Sequence, residues 1–210
     1  MKISYAITVC NELTEIQRLL SHLLTHKREE DEIVVLYDSK NGSKQVEDFL
    51  RAQVQESQPK FYWTGGEFNN HFADWKNKLT SLCTGDYIFQ IDADEFPHIE
   101  LIENLPDMLR DNSSVDVFLV PRVNTVAGLT EAHIQKWGWN VNDKGWVNWP
   151  DYQWRIYKNN GKVKWINKVH EKLAGYKEFG YIPNISEYAL YHPKDIERQE
   201  RQNNYYNELS

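Results

Sequence analysis

From Ile3 to Val120 the chain alternates short apolar runs with segments of helical period, and this alternation admits little besides a parallel sheet covered by helices. Ile3 to Val9, Glu32 to Tyr37, Lys60 to Trp63, Tyr87 to Ile91 and Val115 to Val120 read as strands. Between them, Glu12 to His26 sets Leu13, Ile16, Leu19, Leu20, Leu23 and Leu24 on one helical stripe. Lys44 to Gln55 turns Val46, Phe49, Leu50 and Val54 inward, and Asn70 to Cys83 does the same with Phe72, Trp75, Leu79 and Leu82. Gly65-Gly66 is expected in a loop, Thr84-Gly85-Asp86 as a helix stop, and His98 to Arg110 as a helix broken before Pro106. Beyond Arg122 the pattern changes to short aromatic strands (Gln153 to Tyr157, Lys162 to Ile166, Tyr188 to Tyr191) and a polar terminal helix from Asp195, whose charges suit a solvated face. With 210 residues, one domain is expected, residues 1–122 forming an α/β half and 123–210 a smaller aromatic one.

The formal charge of −7 argues against a mainly electrostatic grip on nucleic acid, which needs a basic face to displace counterions. The apolar opening run is too short for a signal peptide or a membrane span, so a cytoplasmic chain is expected. Cys10 and Cys83 lie in apolar segments and read as buried free thiols. Eight Trp exceed what a core of this size needs, and Trp137, Trp139, Trp146, Trp149 and Trp154 crowd one stretch, where flat rings suit a sugar or a base as well as a core.

Ligands of an open parallel sheet bind beyond the carboxyl ends of its strands, and Asp92-Ala93-Asp94-Glu95 stands at such an end. Two carboxylates one residue apart offer oxygens to Mg²⁺ or Mn²⁺, hard ions that bind carboxylates together with substrate phosphates. By itself Asp-x-Asp also fits a loop of solvated acids. The surrounding sequence carries more. The run Phe72-Ala73-Asp74-Trp75-Lys76-Asn77, followed by Thr84 through Glu95, resembles the donor-binding signature of family 2 glycosyltransferases with the GT-A fold. Ile7-Thr8-Val9-Cys10-Asn11-Glu12 and Ile33 through Ser39 are similar to that family's first two strands. Pro150-Asp151-Tyr152-Gln153-Trp154-Arg155-Ile156-Tyr157 and Trp165 through Glu171 resemble the branch that adds sugars to lipopolysaccharide cores.

The resemblance implies a GT-A, Rossmann-like α/β fold: a mostly parallel sheet with helices on both faces, 1–122 taking a nucleotide sugar, a UDP-sugar foremost, and 123–210 facing the acceptor. It implies that Asp38 contacts the base, that Asn11 and Glu12 lie by the nucleotide, and that Asp92 and Asp94 serve metal and ribose. Lys76 stands where the family usually carries Arg, which keeps the charge and loses the planar fork. Inverting transfer needs a base for the acceptor hydroxyl; Glu171, beside His170, is the first candidate and Asp151 the second. The metal shell of such enzymes often includes a late histidine, here His192 ahead of His170. Each residue also has a plainer use: an Asx turn for Asp38, a solvated helix position for Lys76, an ion pair for Glu171, a structural role for a histidine beside proline. The acceptor stays open between a saccharide such as a lipopolysaccharide core and a hydroxymethylated base in phage DNA. A sugar-nucleotide nucleotidyltransferase would want a Gly-rich phosphate loop after the first strand, which Cys10-Asn11-Glu12 is not. A non-catalytic carbohydrate-binding protein would leave Asp92-Ala93-Asp94 without a purpose.

Overall fold

The computed structural model describes residues 1–56 and 60–209, with side chains described except at 55, 56 and 204–209. The alternation builds β1 (Ile3–Val9), α1 (Leu13–His26), β2 (Glu32–Asp38), α2 (Lys44–Glu56), β3 (Phe61–Gly66), α3 (Phe72–Leu82), β4 (Tyr87–Asp92), β5 (Phe96–Pro97), α4 (Ile99–Asp111) and β6 (Val117–Val120). The second half adds β7 (Arg122–Ala127), α5 (Glu131–Trp137), β8 (Gln153–Lys158), β9 (Lys164–Ile166), β10 (Lys172–Ala174), β11 (Phe179–Tyr181), β12 (Leu190–Asp195) and α6 (Ile196–Leu209).

Among the described residues the main sheet has seven strands in the order β11-β6-β8-β4-β1-β2-β3. Its strands are parallel except β8, which runs antiparallel to both β4 and β6. That exception matters for the site. The carboxyl ends of β1, β2 and β4 lie level, with Val9 opposite Tyr37 and Thr8 opposite Asp92. Because β8 runs the other way, its first residues, Gln153 to Arg155, meet the same rim at which its neighbours end. A separate sheet, β5-β12-β7, sets His192 opposite Asn124.

The strands read from β1 to β4 are almost continuously apolar because helices cover both faces. One face buries Ile16, Leu19, Leu50, Leu101 and Leu105 against the sheet, and the other buries Ala73, Trp75 and Leu79 of α3 with Trp165 and Leu173. Helix α4 runs unbroken through Pro106, contrary to the expected break. The proline costs about 3 kcal/mol, whereas Leu101, Ile102, Leu105 and Leu109 are all buried, each contributing roughly 1.5–3 kcal/mol. Two further expectations fail. Gly65 and Gly66 close β3 by pairing with Tyr37 and Asp38, and Val54 and Leu82, in the last turns of their helices, stay 51% and 39% exposed. No helix among the described residues is long and apolar enough to cross a membrane.

Candidate active site

Beyond the carboxyl edge of the sheet lies a cavity of about 1110 Å³. Asn11, Glu12, Asp38, Lys76, Asp92, Asp94, Asp151, His170, Glu171 and His192 all line it. Sequence positions 11 to 192 meet there because strand ends, the reversed β8 and the β7–β12 pair share one rim.

Asp38 ends β2 and is buried in a turn. Its Oδ1 accepts from Lys40 N at 3.1 Å and Phe68 N at 3.3 Å, and its Oδ2 accepts from Asn41 Nδ2 at 2.8 Å. Gly42 closes this turn where a Cβ would lie 2.3 Å from the Asp38 carbonyl oxygen, so no other residue fits without moving the loop. Glu12 folds back on its own strand end, Oε2 accepting from Cys10 N at 2.8 Å and Asn11 N at 3.0 Å. Lys76 is buried, so the solvated helix position does not hold. Its Nζ donates to Glu171 Oε1 at 2.5 Å, stands 3.8 Å from Asp92 Oδ1 and lies 4.7 Å above the Trp165 ring.

The Asp92 and Asp94 carboxylates part company. Asp92 Oδ2 accepts from Arg155 Nη2 at 2.8 Å and Oδ1 from Gln90 Nε2 at 3.0 Å. Burial raises its pKa, but Arg155 and Lys76 outweigh burial and hold it well below the usual carboxylate range. Arg155 also grips Glu95 at 2.7 Å, Glu95 grips Arg122 at 2.9 Å, and Arg122 grips Asp151 at 2.8 Å. Glu171, Lys76, Asp92, Arg155, Glu95, Arg122 and Asp151 thus form a chain of alternating charge that joins the two carboxylates expected as bases. Glu95, Arg155 and Lys76 are buried, and buried charges persist only when paired in this way.

Asp94 turns instead to His192, Oδ2 lying 3.1 Å from Nε2. Asn124 fixes the imidazole. Its Nδ2 donates to Asp151 Oδ2 at 2.6 Å, so its Oδ1 faces His192 Nδ1 at 3.0 Å and requires that nitrogen to be the donor. Burial holds the imidazole pKa below its usual value despite the pull of Asp94. His192 Nε2 and Asp94 Oδ2, 3.1 Å apart on the cavity wall, are close enough to share one cation. Among the described residues no three His, Cys, Asp or Glu side chains gather as a metal cage. Arg155 and Lys76 draw Asp92 aside, and His170 lines the cavity without joining Asp94 in such a group. Asp94 and His192 are the two side chains here that could hold a hard ion, which would share its remaining positions with phosphate and water.

Of the clustered tryptophans, Trp139 and Trp154 line the cavity. Trp137 packs on Trp139 with ring centres 4.7 Å apart, and Trp146 meets Trp149 edge-on at 5.0 Å. The remaining histidines are occupied structurally: His22 at Pro97 O, His71 and His98 as helix caps, His133 at Thr130, and His26 against the His22 ring. Sequence reading gave no role to Arg122, Asn124, Arg155 and Arg198. The one signal for Arg155 is its place in the otherwise apolar-aromatic Trp154-Arg155-Ile156-Tyr157, since a cation there has to find an anion. Arg198 also departs from the solvated face expected of the terminal helix, for it points into the cavity.

The glycosyltransferase SunS of Bacillus subtilis strain 168, from its SPbeta prophage, is 26% identical to this chain over 191 residues, which make up 89% of the chain and 39% of SunS. The SunS glycosyltransferase of Bacillus phage SPbeta matches to the same extent. The chain thus spans about two fifths of the length of these relatives. Among solved structures, residues 1–349 of S. aureus TarS in complex with UDP superpose with a TM-score of 0.64 at 14% identity, covering 92% of this chain and 60% of that one. The same TarS fragment in complex with UDP-GlcNAc gives 0.60 at 15% identity, over 92% and 59%. These structural likenesses establish the α/β fold. The model of glycosyl transferase family 2 matches residues 4–178, most of the chain, and the protein belongs to that family.

Proposed function

We propose that the chain is a metal-dependent, inverting glycosyltransferase that moves a sugar from a nucleotide-sugar donor, a UDP-sugar, to an acceptor hydroxyl. The observation that carries this reading is the Asp94–His192 pair, whose Oδ2 and Nε2 stand 3.1 Å apart on the wall of a cavity large enough for donor and acceptor. The complexes of TarS with UDP and UDP-GlcNAc support the donor class. Mn²⁺ or Mg²⁺ on Asp94 and His192 would neutralise charge on the departing diphosphate.

This chain's own groups divide the remaining work. Asp38, Asn11 and Glu12 line the side reached from β1 and β2, where a base and ribose would lie, and a base N–H would take over the Asn41 contact to Asp38. Asp92, immobilised by Arg155, offers a fixed carboxylate toward the ribose. Glu171 serves as the base that takes the acceptor proton, with Lys76 placing it. One observation favours Asp151 as a second reading: through Asn124 it is linked directly to His192, beside Trp139, Asn148 and Trp154. That wall of amides and aromatic rings suits a saccharide acceptor better than a polyanion.

The test is thermal stabilisation by UDP with and without Mn²⁺, read beside turnover. UDP with Mn²⁺ should raise the melting temperature, and Asp94→Ala should abolish the rise. Glu171→Gln should keep the rise and lose about 10²–10⁴ in kcat. If Asp151→Asn loses turnover and Glu171→Gln does not, the base is Asp151. Equal UDP binding without metal, or full activity in Asp94→Ala, rejects the reading.

A further inference from the structure

Arg198 lies in the first turn of α6, its N–H donating to Asp195 Oδ1 at 2.7 Å, and its side chain reaches back across the cavity mouth. There it meets three carboxylates. Nη1 donates to Glu15 Oε1 at 2.6 Å, Nη2 stands 3.2 Å from Asp94 Oδ2, and the same Nη2 lies 3.8 Å from Glu12 Oε1. The Asp94 oxygen it approaches is the one that faces His192 Nε2. The guanidinium therefore sits beside the very oxygen that a cation held by Asp94 and His192 would need.

The charges in this group do not balance. Glu12, Glu15 and Asp94 carry three negative charges against those of Arg198 and the neighbouring Lys194, so one negative charge remains uncompensated. A divalent ion on Asp94 would remove the deficit and repel the guanidinium from that oxygen. The freed planar fork matches a phosphate bidentately, and it stands on a wall that also carries Lys194 and Arg201.

We infer that Arg198 is a diphosphate-binding residue that pairs with Asp94 while the donor is absent, so that it and the divalent ion compete for one carboxylate oxygen. This rests on the metal-dependent donor site proposed above. Arg198 has two alternative partners of the same chemistry, a carboxylate and a phosphate, and the arrival of positive charge at Asp94 selects the second. Positive charge on the diphosphate then comes from the α6 side as well as from the ion.

The experiment compares wild type, Arg198→Gln and Arg198→Lys by electron paramagnetic resonance of free Mn²⁺ and by calorimetric titration with UDP at saturating Mn²⁺ and with uridine. Arg198→Gln should bind Mn²⁺ alone several-fold more tightly, because its competitor is gone, and should bind UDP roughly tenfold or more weakly, the worth of a charge-assisted bond to phosphate. Arg198→Lys should fall between the two, keeping charge and losing the fork. Uridine affinity should be unchanged, which shows that the nucleoside side stays folded. Wild-type UDP affinity in Arg198→Gln, or Mn²⁺ affinity that does not rise, overturns the inference while leaving the donor site standing. Absence of Mn²⁺-dependent UDP binding in the wild type overturns the donor site itself.

Discussion

Asp92 and Asp94 are two positions apart, yet different neighbours claim their carboxylates. Asp92 ends a strand and meets cations brought by β8 and α3, whereas Asp94 lies past the strand end and meets β12 and α6. Sequence spacing announced that both acids stand at the rim. It was silent about this division, because the partners lie 63 and 98 residues away, nothing local marks Arg198 or Asn124, and the apolar-aromatic setting of Arg155 calls for an anion without saying which. The energetic weight of the Asp92 side rests on Arg155, itself buried, which neutralises the buried Glu95 and the half-buried Asp92 at once. Removing one partner of a buried ionic group leaves uncompensated charge and costs about 3–5 kcal/mol. Arg155→Met is therefore expected to lower the urea-unfolding free energy by that amount, with Asp92 and Glu95 shifting toward protonation. A loss below about 1 kcal/mol would show that Lys76 and Arg122 suffice without it.

At the level of elements, the first half was largely legible and the second only in part, β8, β9 and α6 standing where the sequence places them, and the difference has a physical reason. Strands β1, β2 and β4 and helices α1 and α3 bury whole faces, so burial leaves a period in the sequence. Strands β10 and β11 have three residues each, and α5 buries no residue completely, so none carries enough period to be read. Strand β5 has two residues, and β7 holds one buried residue, Val123, among partly exposed ones. The turn from α3 into β4 shows how an element boundary sets the site. Gly85 N accepts no substitute for its partner: it donates to Ser4 Oγ at 2.9 Å, and a Cβ on Gly85 would lie 2.7 Å from Ser4 N and 2.6 Å from Ser4 Oγ. The clash is with backbone, which can yield only by moving β4 along β1. Gly85→Ala is expected to cost about 1–3 kcal/mol in chemical unfolding and to weaken UDP binding in parallel, because the shift carries Asp92 with it. Unchanged stability would mean that the strand pair slides freely and that its register does not depend on this contact.

For the whole molecule, the site is assembled from charges that the fold holds buried or half-buried, and the pH dependence of stability should record this. Asp92, Asp94, Glu95 and Asp151 are each raised by burial and lowered further by the cations around them, to a net value below the ordinary 3.8 for Asp and 4.5 for Glu. Between the ordinary and the depressed values the unfolded chain binds protons that the folded chain does not. The stability these four contribute is therefore complete above about pH 4.5 and is lost as pH falls toward the native values. At alkaline pH a buried thiol acts in the opposite sense. Burial pushes the Cys83 thiol from 9.0 up to about 12, so the unfolded chain gives up this proton first. Its contribution is complete below pH 9 and is lost as pH rises toward 12. Lys194, held down to about 8 by burial, opposes the thiol. Urea midpoints measured from about pH 3 to about pH 10 should therefore fall at the acid end and record the difference between the thiol and the lysine at the alkaline end. Cys83→Ala should lose less stability between about pH 9 and about pH 10 than the wild type and keep the acid limb unchanged, and Asp151→Asn should lessen the acid limb alone. An acid limb that Asp151→Asn leaves untouched would mean that the Arg122 pairing persists in the unfolded chain, and the alternating charges at the cavity floor would then contribute nothing to holding the two halves together.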